Sequence, residues 1–124
     1  MINITAEVSR LVAQSGVKRG LCLIHAPHTT AAVTVQEGYD PDVVRDTLLA
    51  LERLVPEKGD YHHAEGNSPA HFLSESIGIS CLVPLADGKP ALGRWQGIVL
   101  IELDGPRERT VRVQALAGAG AGAP

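Results

Sequence analysis

The chain has 124 residues, 44% hydrophobic and 20% charged, with a formal net charge of −3. Its length suits one globular domain, and with one Trp, two Tyr and one Phe the core must be filled by Val, Leu, Ile and Ala. No block of Lys or Arg is present and no apolar run is long enough to span a bilayer, which argues against dedicated nucleic-acid or membrane binding.

In chain order, residues 4–15 place Ile4, Val8, Leu11 and Val12 at helical spacing, with Gly16 as the stop. The segment GLCLIHAP then reads as a strand broken near Pro27. TTAAVTVQE reads as a second strand, with Ala31, Val33 and Val35 alternating against Thr30, Thr34 and Gln36. Asp40 and Pro41 supply a capping carboxylate and a first-turn proline, opening a helix to about Val55 with Val44, Leu48, Leu51 and Val55 on one stripe. A polar loop follows, and Ser68–Pro69 predicts a short helix that places His71 in its first turn and ends near Gly78.

SCLVPL predicts a short buried strand and ADGKP a turn. RWQGIVLIEL and RTVRVQAL predict two further strands, joined through DGPR as an antiparallel hairpin. The order gives an α+β class, a mostly antiparallel β-sandwich with two or three helices. The strands around Val99 and Ile24 are apolar on both faces, so a second layer or another subunit must cover them. One domain is expected over residues 1–116, followed by a flexible Ala/Gly tail at 117–124. Cys22 and Cys81 lie in apolar runs with no CxxC partner, and the amino terminus lacks a basic flank followed by an apolar core. Both features suit a cytoplasmic protein.

Three of the five histidines fall within YHHAEGNSPAH, residues 61–71. His28, His63 and His71 could supply three imidazoles to a metal, with Glu37, Asp40 or Glu65 as acid ligand or base. Their spacing matches no compact zinc motif, and spacing alone favours a solvated loop. His62 and His63 are adjacent and would face opposite ways on extended chain, while His25 reads as a hydrogen-bonded core residue. Strand geometry puts His28 and Glu37 roughly 30 Å apart, so one subunit cannot hold both in a small site unless the strand breaks. Trp95 suits a core position, and Gln96 could hold a heterocycle edge. Arg107 and Arg109 could grip a phosphate, or form a surface hairpin with Glu108.

Together and in order, HTTAAVTVQEGYDPDV, YHHAEGNSPAH and SCLVPLADGKPALGRWQGIVLIELDGPRER resemble the YjbQ family, also called UPF0047 or the secondary thiamine-phosphate synthase family. The matching motifs are HTT from His28, YxH at Tyr61 and His63, AH at Ala70 and His71, and WQ at Trp95 and Gln96. The resemblance implies a homotrimeric β-sandwich and weak thiamine-phosphate synthase activity on small phosphorylated heterocycles. On that basis His28, His63, His71 and Glu37 are the expected catalytic residues, and Asn67, Trp95, Gln96 and Arg107 the substrate contacts. His28, His63, His71 and Asp40 are the expected ligands of a divalent metal, Mg²⁺ or Zn²⁺. The alternatives are a metal-dependent hydrolase with a His-rich site and a non-catalytic trimeric ligand-binding protein. Two departures from the family pattern stand out. The chain starts almost at its first helix, where the family carries an N-terminal strand, and Ala64 follows the YxH histidine where Asp is usual.

Overall fold

A computed structural model of the protein describes residues 1–119. Seven strands and three helices follow in the order β1 (Ile2–Asn3), α1 (Thr5–Ser15), β2 (Gly20–His25), β3 (Ala31–Glu37), α2 (Pro41–Leu54), α3 (Ser68–Ile77), β4 (Ser80–Ala86), β5 (Lys89–Pro90), β6 (Gln96–Glu102) and β7 (Arg112–Ala117). The strands form two antiparallel sheets, one ordered β1-β6-β3 and the other β5-β4-β2-β7.

The sheets pack through the alternating residues of their inner faces. Cys22 and Ile24 of β2, Val83 and Leu85 of β4, Val33 of β3, and Ile98 and Leu100 of β6 form one core, closed by Val8 and Val12 of α1. These are small and branched side chains, as a sequence poor in aromatics requires. On the other face of β3 and β6, Ala32, Val99 and Ile101 form a second cluster with Ile77 of α3, Leu103 and Met1. The apolar-on-both-faces reading of the Val99 strand therefore has an intrachain answer. The outer face of β2 differs, because Leu21, Leu82 and Leu116 lie there exposed.

Asp40 caps α2 by accepting from the Asp42 amide at 2.9 Å, with Pro41 at the first helical position. No residue of α2 is buried. Its stripe is present, with Val44 and Leu51 half-buried and Leu48 exposed, but the sandwich does not cover it.

Three expectations are corrected. First, DGPR is not a hairpin turn: β6 pairs with β1 and β3, whereas β7 pairs with β2 in the other sheet. Residues 103–111 are thus a crossover between layers, held by side chains at its ends. Second, the N-terminal strand exists in short form, since Ile2 pairs with Leu100 and Asn3 with Val99. Asn3 also accepts from the Thr5 amide and hydroxyl at 3.0 and 2.6 Å, tying the edge strand to α1. Third, Ala117 belongs to β7, opposite Gly20, so the domain extends past residue 116. Residues 120–124, most of the expected flexible tail, lie outside the described residues.

Candidate functional site

The register of β3 on β6 divides the expected site residues into two groups. Ala31 faces Glu102 at one end of the pair and Glu37 faces Gln96 at the other, roughly 20 Å away at strand rise. His28, Asn67, His71 and Arg107 belong to the first end. Glu37, Asp40, Trp95 and Gln96 belong to the second.

At the second end, each polar group has a local structural task. Glu37 Oε2 accepts from the Tyr39 and Asp40 amides at 2.6 and 3.0 Å. Asp40 caps α2, and Gln96 Oε1 accepts from the Gly93 amide at 2.8 Å. Trp95 is 60% exposed, contrary to the core reading, and carries Arg94 over its ring at 4.9 Å. Its indole therefore stacks a cation at the surface instead of filling the interior.

At the first end, the β2–β3 connection and α3 enclose an open cavity of about 440 Å³ lined by His28, Thr29, His71, Ser74, Glu75 and Ile79. Ser74 fixes the helix to the sheet, its buried hydroxyl donating to Ala31 O at 2.6 Å. His71 and Glu75 are one helical turn apart and line both this cavity and a second one bounded by His63, Ser68 and Phe72. His63 packs on His71 edge to face, with ring centroids 5.3 Å apart. Its neighbour His62 turns outward to Asp60 at 3.1 Å, with 86% of its side chain exposed. Glu65, the candidate replacement for an acid after His63, is exposed.

The crossover lines neither cavity but holds two residues at their margins, Asn67 and His28. Asn67 precedes α3 and its Nδ2 donates to Asp104 Oδ2 at 2.8 Å. Arg107 binds the same oxygen at 3.0 Å and leaves half of its side chain exposed. Asn67's hydrogen bond, reinforced by Arg107, holds the Asp104 carboxyl below its ordinary range against the opposing effect of burial. Arg109 does not pair with Glu108 or offer itself to a phosphate. It forms a two-pronged bridge to Glu102, and its Nη2 also donates to Thr30 O and Oγ1 at 2.9 Å each. That bridge drives Glu102 down to about 2.

The metal set named from sequence does not converge within one chain. Asp40 sits at the far end as a helix cap, and His28 Nε2 lies 2.9 Å from the Thr110 amide. Among the described residues, no three His, Cys, Asp or Glu side chains are grouped to hold an ion. Two participants were missed in the sequence. Glu75 was legible as the residue four after His71 on a predicted helix, whereas Thr110 acts through its backbone and leaves no side-chain signal.

The family model described as UPF0047 protein YjbQ-like matches residues 1–118. A UPF0047 protein of Methanocaldococcus jannaschii is 41% identical over 116 residues, 94% of this chain and 84% of that protein. The UPF0047 protein YugU of Bacillus subtilis is 41% identical over 117 residues, covering 94% and 89% of the two chains. Among solved structures, an uncharacterised conserved YjbQ/UPF0047 protein of Clostridium acetobutylicum superposes with a TM-score of 0.89 at 47% identity, over 91% of this chain and 88% of that one. A hypothetical protein of Aeropyrum pernix gives a TM-score of 0.89 at 35% identity, over 94% and 88%. With the motifs, the two-sheet fold and near full-length matches in agreement, the chain belongs to the YjbQ-like UPF0047 family.

Proposed function

We propose that the cavity between His28 and His71 binds a small phosphate-bearing heterocycle and supports weak thiamine-phosphate synthase-like transfer. The carrying observation is that two separate elements bring these histidines to one cavity of about 440 Å³, within the size range of small-molecule sites. In the reaction, the ring nitrogen of a thiazole phosphate attacks the methylene of an aminopyrimidine pyrophosphate. The new C–N bond forms as the C–O bond breaks, and pyrophosphate leaves with the bonding pair. Negative charge grows on the leaving group, so donors aimed at its oxygens lower the barrier. The imidazoles of His28 and His71 are the donors that line the cavity, with Glu75 beside His71 as a proton partner. Arg107, expected as a substrate contact, is instead engaged with Asp104.

Self-association as a homotrimer is part of the same proposal. The uncovered stripe of α2 and the exposed Leu21, Leu82 and Leu116 support it. A trimer is also the way Glu37, Trp95 and Gln96 could join a histidine site, since one chain holds them at the opposite end of β3 and β6. Both cysteines are unpaired, which supports a reducing cytoplasmic setting, and among the described residues no helix is long and apolar enough to cross a membrane.

The test is product formation from the two substrates by metal-stripped protein, with and without added Mg²⁺ or Zn²⁺. Thiamine phosphate formed by the wild type and lost in His71→Ala and Glu75→Gln, with their melting temperatures kept, supports the reading. Absence of product from folded protein under every metal condition overturns the transferase. Water-dependent release of phosphate from one substrate alone would point to the hydrolase.

A further inference from the structure

His28 is fixed more tightly than a solvated loop histidine. Its amide donates to Ala26 O at 2.8 Å, closing a tight turn at Pro27, and the Ala26 amide donates to Ile79 O at 2.7 Å. Two residues later, Thr30 O and Oγ1 accept from Arg109. The next residue after Arg109 is Thr110, whose amide returns to the imidazole of His28. The path from His28 through Thr30, Arg109 and Thr110 back to His28 is a closed ring of covalent and hydrogen bonds. Arg109's side chain in that ring is only 8% exposed.

The contact at the imidazole determines where the proton sits. Nε2 lies 2.9 Å from Thr110 N and 3.2 Å from Thr110 O. A neutral imidazole nitrogen is either a donor or an acceptor, so it serves one of these partners. A hydrogen on Nε2 would face the Thr110 amide hydrogen across the shorter distance and leave that donor unpaired. A bare Nε2 accepts the shorter bond and leaves only a carbonyl under-satisfied, which proteins tolerate better than an orphaned N–H. The partner of one ring nitrogen sets the tautomer, and here it puts the proton on Nδ1.

We propose that Thr110 holds His28 as the Nδ1–H tautomer. His28 then presents the cavity with a hydrogen-bond donor for a phosphoryl or carbonyl oxygen, and not a lone pair for a metal ion. A ligating imidazole nitrogen must offer its lone pair while the other nitrogen carries the proton and donates outward. His28 has the reverse arrangement, because its outer nitrogen accepts. Metal binding at Nδ1 would require loss of the Thr110 bond or a fully deprotonated ring. The donor role rests on the proposed ligand cavity, whereas the tautomer does not.

The experiment uses the full chain labelled with ¹⁵N-histidine, metal-free, at a pH where a free imidazole is neutral. Long-range ¹H–¹⁵N correlations report each ring's tautomer, and His28→Ala assigns the signals. The expected result is a single Nδ1–H form for His28 without ligand, unmoved by Zn²⁺ and shifted at Nδ1 by inorganic pyrophosphate. In side-chain shape, His28→Asn places an amide near the Nδ1 position and His28→Gln near Nε2. Pyrophosphate affinity should stay within about threefold in His28→Asn and fall about tenfold or more in His28→Ala, as expected for a donor to a charged acceptor. An Nε2–H form in the ligand-free protein, or Zn²⁺ bound to a His28 nitrogen, overturns the proposal. A clean Nδ1–H form in protein that ignores pyrophosphate and thiazole phosphate sustains the tautomer and removes the ligand reading instead.

Discussion

Arg109 grips Glu102 with two parallel hydrogen bonds, Nε to Oε1 at 2.8 Å and Nη2 to Oε2 at 2.6 Å, where the chain leaves one sheet for the other. The geometry is the bidentate one that guanidinium and carboxylate favour, and Arg109 is nearly buried, so the pair should count for more than a surface bridge. Arg109→Ala would leave Glu102 with only the Asp104 amide and Thr30 Oγ1 without its donor, while Thr30 O keeps the Leu103 amide, at a cost of about 2–4 kcal/mol. Urea unfolding of the two proteins measures this, and a change below about 0.5 kcal/mol would show the bridge to be incidental.

The same pair gives the protein an acid limb. Glu102 is lowered from an ordinary 4.5 to about 2, first by the Arg109 hydrogen bond and further by the Asp104 amide, with burial opposing. A depressed carboxyl stabilises the fold above its unfolded value and stops doing so as pH falls through its folded one. Wild-type stability should therefore decline between pH 4.5 and about 2, and Arg109→Ala should decline less across that window. Equal slopes in a pH series of unfolding curves would remove Glu102 as the source.

Asn67→Asp would replace the amide that donates to Asp104 with a second carboxylate at a contact now 2.8 Å long. Asn67 Oδ1 is already buried with no partner among the described residues, so the added charge has no other donor there. Destabilisation of about 1–3 kcal/mol at neutral pH is expected, shrinking in acid as one carboxyl protonates and donates to the other. Thermal melts at pH 7 and pH 4 test it, and a loss that grows in acid would contradict the repulsion.

Two glycines should respond in different degrees. A Cβ on Gly20 would sit 1.8 Å from the carbonyl oxygen of Leu116, where β2 and β7 approach, and neither backbone can retreat without breaking the ladder. Gly20→Ala should prevent folding or cost more than about 3 kcal/mol. Gly66, at φ +72, has no neighbour within 4 Å of its hypothetical Cβ. Gly66→Ala should cost only the left-handed backbone strain, about 1 kcal/mol. Comparable soluble yields and melting temperatures for the two variants would disprove the close approach.

Leu48→Glu separates assembly from folding. Leu48 is 40% exposed on a helix that has no buried residue, so the charge should leave the monomer's core intact. If α2 seats a second copy, sedimentation mass should fall from trimer to monomer with the far-ultraviolet spectrum unchanged. A variant that keeps the wild-type mass would place any interface between copies away from α2, with the exposed leucines of β2, β4 and β7 as the next face to probe.

Much of this architecture is written in local pattern. Period-two alternation in β3, the Asp40–Pro41 start of α2 and the first-turn Pro69 of α3 are nearest-neighbour effects, legible because alternation, capping and proline act within a few residues; the cap position of α3 is Asn67, without a side-chain cap bond. Adjacency implied that His62 and His63 would face opposite ways, and the YxH and AH motifs of the family resemblance singled out His63 and His71; the two rings do pack together while His62 turns outward. It could not reveal that DGPR leads out of one sheet into the other, because a turn motif specifies a bend and not the strand that follows it. Nor could it assign Arg109 to Glu102 over Glu108, or Thr110 to His28 across 82 positions of chain. Those choices depend on which strands share a sheet. Tertiary packing alone placed Glu37 and Gln96 at one end of β3 and β6 and His28 and His71 at the other, because antiparallel register fixes the ends of both strands at once.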